Sequence, residues 1–379
     1  MRFTPTPEQQ QLGDLVQRFL GQQYGLEARR KILESKEGFS AEIWAGLAEL
    51  GLLSLQAPEA IGGMAPAVVE TLITVTAMGR ALLLEPYVTS AIFATALLRS
   101  LPGDPSDEVL QSLVTDARIA APALFEPGAG LRLEQVETSA RPSGPGFALT
   151  GKKAVVLHAP LADFLLVSAR TSGSRDDATG ISLFAVQRGA DGLSLLPYRT
   201  LDGRTAAEVS LNGTPAVLLG SEGGALPALI AARGVEVAAL CAEAVGTLQA
   251  TLDTTIEYTK ARKQFGVPIA KFQVLQHAMA DMLMHVEQAR SMSFLAAARA
   301  AEPDSQEKRR SLSAAAVVIG NACRFVGQRA VQLHGGMGVA DETPVSHFFR
   351  RLTATSISLG ETSFHVQDFI AAGAPAEAR

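Results

Sequence analysis

Residues 258–282 read YTKARKQFGVPIAKFQVLQHAMADM, and residues 330–352 read AVQLHGGMGVADETPVSHFFRRL. Both stretches straddle breaks between long helical patterns, which apolar spacing places at 224–261, 271–301, 307–335 and 343–372. Arg262-Lys-Gln-Phe-Gly266 fills the first break, and Gly335-Gly336-Met-Gly338 ends the third pattern. A capping box from Asp304 to Glu307 opens that third helix. Four long helices in succession predict a helical bundle over 223–379.

Upstream, between about 118 and 222, the period changes from helical to alternating. Runs rich in β-formers occupy Phe147–Thr150, Lys153–His158, Asp163–Ala169, Ile181–Gln187, Leu193–Leu196 and Glu208–Leu211, separated by turn residues such as Asn212-Gly213. An antiparallel sheet domain is expected over 118–222. Further upstream the helical period returns. Leu12, Leu15, Val16, Phe19 and Leu20 share one expected buried face. Thr6-Pro7-Glu8-Gln9 is a capping box with proline at the first helical position, so the start reads as a folded helix rather than a signal peptide. Ser40 caps a helix carrying Ile43, Trp44, Leu47 and Leu50 that stops at Gly51. Helical stretches at 66–84 and 86–101 follow, with a loop at Pro102–Asp107. The fold class is therefore α+β, with a helical domain at 1–117, a β domain at 118–222 and a helical bundle at 223–379.

The 379 residues are 47% apolar and only 19% charged, against roughly 25% charged in ordinary soluble domains. Mean hydropathy is +0.18. Such a chain hints at surface buried between subunits. No stretch reaches the ~18–20 uninterrupted apolar residues of a membrane span, because Arg80 breaks 71–84 and Arg233 and Glu236 break 225–246. Two cysteines, Cys241 and Cys323, without CxxC spacing, indicate neither a disulfide framework nor a zinc site and fit a reducing cytoplasm. A net charge of −5, with no basic run longer than Lys308-Arg309-Arg310, argues against a nucleic-acid surface.

The two opening stretches, with FEPGAG (125–130) and LTGKKAVVLHAPLADFLLVSAR (149–170), resemble the acyl-CoA dehydrogenase family over essentially the whole chain. The resemblance implies an N-terminal helical domain, a central β domain and a C-terminal four-helix bundle. It implies α,β-desaturation of an acyl-CoA thioester with FAD as cofactor: a carboxylate removes the α-proton while hydride leaves the β-carbon for the flavin. Such chemistry needs a polarised thioester carbonyl and a base in a dry pocket that raises its pKa. In the family each FAD lies across a subunit interface.

Arg262, Gln264 and Phe265 match the residues that this family contributes to a neighbour's FAD, and a planar guanidinium suits a pyrophosphate. Gln332, Gly335 and Gly336 match its adenosine-end contacts. Taken singly, each motif has a plainer reading, as a helix-end arginine beside a turn and as a Gly-Gly helix stop; their combination in one chain favours the cofactor. His334 reads as packing.

The ring side departs from the family pattern. Phe125 and Leu131 stand where relatives carry a threonine and a serine, and Val155 and Leu157 where they carry a tryptophan and a threonine or serine. In the segment Leu359-Gly360-Glu361-Thr362, aligned through the family's threonine at Thr362, a candidate cofactor contact, the base position is Gly360 and the carboxylate has moved by one residue to Glu361. A shift of one residue turns a side chain by about 100° on a helix. A second branch of the family puts its base at the position of Glu236. Glu361 and Glu236 are thus the two candidate bases, and Glu243 reads as an interface or buried polar residue.

The chain keeps the half-site it lends and departs from the half-site that holds its own flavin ring. This resembles the small subunit of heteromeric enzymes of the pimeloyl-CoA dehydrogenase type, paired as α2β2 with a homologous catalytic subunit acting on dicarboxylic or steroid side-chain thioesters. The alternatives are a self-sufficient homo-oligomer using Glu361 or Glu236, and a non-catalytic assembly subunit. The resemblance implies an acyl-CoA substrate and an electron-transfer flavoprotein as acceptor.

Overall fold

The computed structural model describes residues 5–373, and these divide into two compact units, neither contiguous in sequence. One unit comprises residues 31–67 and 84–236, the other the described parts of 1–30, 68–83 and 237–379. The chain runs through helices α1 (Pro7–Gln23), α2 (Leu26–Glu34), α3 (Ala41–Glu49), α4 (Val68–Ala81), α5 (Thr95–Arg99) and α6 (Asp104–Thr115). Strands β1 (Ala120–Ala123), β2 (Ser139–Ser143), β3 (Gly146–Leu157), β4 (Phe164–Arg170), β5 (Ile181–Gln187), β6 (Leu193–Arg199) and β7 (Thr205–Leu219) follow. Helix α7 (Leu226–Ala261), a two-residue hairpin of β8 (Lys263–Gln264) and β9 (Val267–Pro268), and helices α8 (Gln273–Ala300), α9 (Gln306–His334), α10 (Pro344–Leu359) and α11 (Thr362–Gly373) complete it.

In the first unit the strands run β1-β4-β2-β3-β7-β5, and β5 returns to β4, closing the sheet on itself. The sheet is mostly antiparallel, but β1 pairs with β4 in parallel, and β1 and β2 carry too few β-formers for their composition to announce them. Leu166, Ile181, Leu183 and Leu219 of the sheet pack with Leu97, Leu98, Leu110 and Leu113 from helices α5 and α6 and with Leu229 of α7. The expected loop at Pro102–Asp107 is shorter than the turn residues suggested: Pro105 lies in the first turn of α6, where its missing N–H costs no bond. The segment Tyr87–Ala94 is π-helical rather than α-helical.

In the second unit the capping box at Thr6 forms as expected, with Gln9 N–H donating to Thr6 Oγ1 and Gln9 answering back. Val16 and Leu20 are buried, whereas Leu15 points to solvent. The cap of α9 lies one residue later than the sequence suggests: Ser305 takes the place of Asp304 by accepting from Lys308 N–H, while Asp304 pairs with Arg309. The last helical pattern is two helices, α10 and α11, separated at Gly360. Helices α4 and α7 approach closely through glycines. A Cβ on Gly79 would collide with the backbone of Glu243, and one on Gly246 with the carbonyl of Thr76. Thr247 fixes the crossing by donating from Oγ1 to Gly79 O at 2.9 Å. Among the described residues no helix is long and apolar enough to cross a membrane.

Candidate functional site

Two motifs meet at one end of the second unit. The ring of Tyr258, in the last turn of α7, stacks on His334 at the end of α9 (centroids 4.2 Å apart, interplanar 24°), and its hydroxyl donates to His334 O at 3.2 Å. His334 Nδ1–H donates to Ala330 O, so this histidine is packing, and its burial holds its pKa below the ordinary value. The contact brings Arg262-Lys-Gln-Phe-Gly266 and Gln332–Gly338 together.

Beyond Tyr258, Phe265 and Gly266 form the two-residue turn between β8 and β9, with φ of +54° and +80°. Both values belong to the turn that matches strand twist, but a phenylalanine is an unusual occupant of its first position. Phe265 is 93% exposed. Holding a large aromatic ring in water and in a left-handed conformation forgoes about 2–3 kcal/mol of burial. Arg262 and Gln264 are exposed beside it, and among the described residues the Arg262 guanidinium has no ion-pair partner. Gln332, Gly335 and Gly336 are exposed too, with open space at the two glycines. Gly335 adopts φ +60°, ψ −139°, a conformation closed to side-chain-bearing residues. Gly338 has a different role, since a Cβ there would strike Val331 O.

The other unit holds the positions at which the sequence departs from the family pattern. Between Lys153 and Val156 strand β3 bulges against β7, and Val155 at the bulge has φ +50° and 57% exposure. Its N–H donates to Glu208 Oε1 at 3.3 Å. Left-handed backbone is a genuine outlier for a β-branched residue. Phe125 is half-buried against the core, with the Arg233 guanidinium 5.9 Å from its ring centroid. Arg233 in turn pairs with Glu236 at 2.5 Å, both side chains only 15% exposed.

Beneath Phe125 and Val155 lies a buried ion pair that the motif reading passed over. Lys153 Nζ donates to Glu126 Oε1 (2.7 Å), Ser168 Oγ (3.1 Å) and Leu124 O (3.3 Å), which uses all three protons. Glu126 also accepts the N–H groups of Glu137 and Thr138 at 2.7 and 3.0 Å. Burial pushes the Glu126 carboxyl up, but Lys153 and the two N–H groups outweigh it, and its pKa lies below the ordinary value. Burial dominates for Lys153, whose pKa falls to about 8 despite Glu126. The pair ties the segment after β1 to β3, and Ala154 N–H adds a bond to Phe125 O. A charged residue within each apolar run, Glu126 and Lys153, was the available signal.

The carboxylates proposed as bases sit in different surroundings. Glu361 is exposed at the corner between α10 and α11, where Ser363 Oγ donates to it at 3.3 Å. Gly360 just before it has φ +114°, ψ +165°, which excludes a glutamate at that position without a new backbone path. Thr362 opens α11, and His365 Nε2 closes the corner by donating to Leu359 O at 2.7 Å. Glu243 is buried and paired with Arg351 at 2.8 Å, whose guanidinium also donates to Leu83 O. Among the described residues no acidic, histidine or cysteine cluster could hold a metal.

The comparisons with known proteins bear on the family and the fold. The acyl-CoA dehydrogenase N-terminal, middle and C-terminal domain models match residues 6–102, 121–213 and 228–373. Acyl-CoA dehydrogenase FadE27 of Mycobacterium tuberculosis is 30% identical over 372 residues, covering 95% of each chain. Among solved structures, a steroid acyl-CoA dehydrogenase Tcur3481–Tcur3483 variant is similar at 28% identity, TM-score 0.87, covering 98% of this chain and 99% of that one. The ChsE4–ChsE5 complex from Mycobacterium tuberculosis is similar at 27% identity and TM-score 0.87, covering 99% of this chain and all of that one. The chain belongs to the acyl-CoA dehydrogenase family. Its enzymes are FAD-dependent oxidoreductases.

FAD fits the two halves of the chain unequally. The exposed arginine, amides and ring at Arg262, Gln264, Phe265 and Gln332, beside two open glycines, suit a diphosphate and an adenine presented from outside. Phe125, Leu131, Val155 and Leu157 offer no polar side chain to an isoalloxazine ring.

Proposed function

We propose that this chain is the small subunit of a heteromeric acyl-CoA dehydrogenase. It lends Arg262, Gln264, Phe265, Gln332, Gly335 and Gly336 to FAD held by a homologous catalytic subunit, in an α2β2 assembly that desaturates an acyl-CoA thioester. FAD supplies the hydride acceptor. The observation that carries the reading is the state of the candidate bases. A base for a weak carbon acid needs a carboxylate that is both sheltered from water and free to reach the substrate; Glu361 stands in solvent, and the Glu236 carboxylate is held in an ion pair by Arg233. The partner subunit therefore provides the base. The names of Tcur3481–Tcur3483 and ChsE4–ChsE5, each a pairing of two chains, support the same assembly, and the first supports steroid-derived thioesters as substrate class. On this reading the acceptor is an electron-transfer flavoprotein and the compartment the cytoplasm, where Cys241 and Cys323 stay reduced.

The test is to produce the chain alone and together with a homologue encoded beside it, and to measure FAD per subunit and turnover. The reading expects no active species from the chain alone and fewer FAD than subunits in the complex. One FAD per chain in an active homotetramer overturns it and points to Glu361 or Glu236, which Glu361→Gln and Glu236→Gln then separate.

A further inference from the structure

The loop from Gly335 to Thr343 is held by an unusual histidine. We propose that His347 is a proton-sensitive latch on this loop: its neutral imidazole ties the loop to a buried arginine of α2, and protonation of the ring releases it. The tautomer follows from the partners. His347 Nδ1 lies 2.9 Å from Arg29 Nη1, and a guanidinium can only donate, so Nδ1 accepts with its lone pair. Nε2 therefore carries the hydrogen and donates to Asp341 O at 2.8 Å. Both side chains of this contact are deep: the His347 ring and the Arg29 guanidinium belong to residues each 2% exposed, and Arg29 is anchored by its Nε–H donating to Leu82 O at 3.0 Å.

A second ring proton has nowhere to go but toward Arg29. The charged groups around the imidazole are Arg29 from α2, the Asp341 carboxylate in the loop at 3.8 Å from Nε2, and Arg350 one turn along α10. Arg350 already pairs with Asp341, and Arg30 acts on the same carboxylate, so the single anion is shared among cations before the imidazole adds another. Burial first, then Arg29 and Arg350, hold the His347 pKa below the ordinary histidine value, against the pull of Asp341. An opened loop would take up the proton at the ordinary value and the latched loop only below it. The latch is accordingly intact above about pH 6.5 and is lost as pH falls through the lower, latched value.

What the latch holds is the backbone that presents Gly335 and Gly336. Thr343 Oγ1 donates to Met337 O (2.7 Å) and Ala340 O (2.9 Å), so Asp341 is enclosed in a short hydrogen-bonded loop whose link to α10 is His347 and Arg350. The inference concerns the loop of the chain itself and stands whether or not a partner subunit brings the flavin.

The experiment is hydrogen–deuterium exchange of the full-length chain over about pH 7.5 to 5, with rates normalised to those of the unfolded peptide at each pH. Peptides covering 335–343 are compared with peptides from the middle of α9. The expected result is a loss of protection of about tenfold in the loop, with α9 unchanged. His347→Gln supplies a neutral amide donor and acceptor in place of the ring, and is expected to keep protection and flatten its pH dependence. A wild-type loop whose protection is flat over this range overturns the proposal, as does a His347→Gln variant with the same acid midpoint as wild type. Because the wild-type profile alone decides the first outcome, the proposal remains testable if the variant folds poorly.

Discussion

Replacing Lys153 by methionine keeps most of its volume and removes its charge, leaving the Glu126 carboxylate buried with only the N–H groups of Glu137 and Thr138. Breaking one side of a buried ion pair costs about 3–5 kcal/mol, because the remaining charge has lost its compensation. Leu124 O keeps a donor in Ser168 Oγ at 3.3 Å, so no further large penalty is expected there. For a unit of this size the loss corresponds to a fall in melting temperature of roughly 10 °C. The pKa directions of the pair sharpen the expectation. Glu126, held below its ordinary value, contributes stability above about pH 4.5 that fades as pH falls through its folded value. Lys153, lowered to about 8 by burial, behaves oppositely: its buried ammonium is a cost at neutral pH, relieved between about 8 and 10.5 as the folded chain gives up a proton the unfolded chain keeps. The pair is therefore a constraint on geometry more than a source of net stability. The double variant Lys153→Met/Glu126→Leu is expected within about 1.5 kcal/mol of wild type in urea denaturation, far from the sum of the single losses. A Lys153→Met loss under about 1 kcal/mol, or additivity of the two substitutions, would refute the argument.

Other substitutions separate structure from cofactor binding. Gly246→Ala drives a Cβ into the backbone of α4 and is expected to destabilise the second unit by about 3 kcal/mol, read by thermal melting. Arg262→Ala and Phe265→Ala change exposed side chains, so melting of the chain alone should move by no more than about 0.5 kcal/mol, while FAD retention by the complex, measured by equilibrium dialysis, falls at least about tenfold. Glu236→Gln in the complex should leave kcat within about tenfold of wild type; a loss of several orders of magnitude with FAD retained would make Glu236 the base.

The long helices and the strands of the β domain were legible because their apolar periods extend over many residues. The shorter features were not. Strand β2, Ser139–Ser143, contains proline and arginine and is recruited by its pairing with β3, a tertiary effect that no local propensity reports. Ser305 displaced Asp304 as the cap of α9 because Arg309 captured the aspartate. In the site, Arg262 and Phe265 could be named from a motif, but their exposure depends on a turn conformation set by two residues. The neutralisation of Glu236 was in principle readable, since Arg233 precedes it at i, i+3 spacing on a helix. The Lys153–Glu126 and Arg29–His347 contacts join residues 27 and 318 positions apart, and only the folded chain brings them together.

The low charge content acquires a specific meaning from where the charges lie. Arg29, Glu126, Lys153, Glu243 and Arg351 are buried, each pinned to a carbonyl, a histidine or an opposite charge. Burying them leaves a chain with few charges still fewer for its surface. The second unit meanwhile exposes Phe265, Val274, Met337 and Val339 among its large apolar residues. Two of these, Phe265 and Met337, lie inside the motifs assigned to a neighbour's cofactor, and Val339 follows directly after. A side chain kept in water at a left-handed turn is disfavoured twice, by lost burial and by backbone strain. Chance exposure of one apolar residue needs no explanation, but the combination of strain, exposure and motif at Phe265 does. Covering it with a flat heteroaromatic ring from a second subunit would relieve the first penalty and make use of the second, since the strained turn is what aims the ring outward.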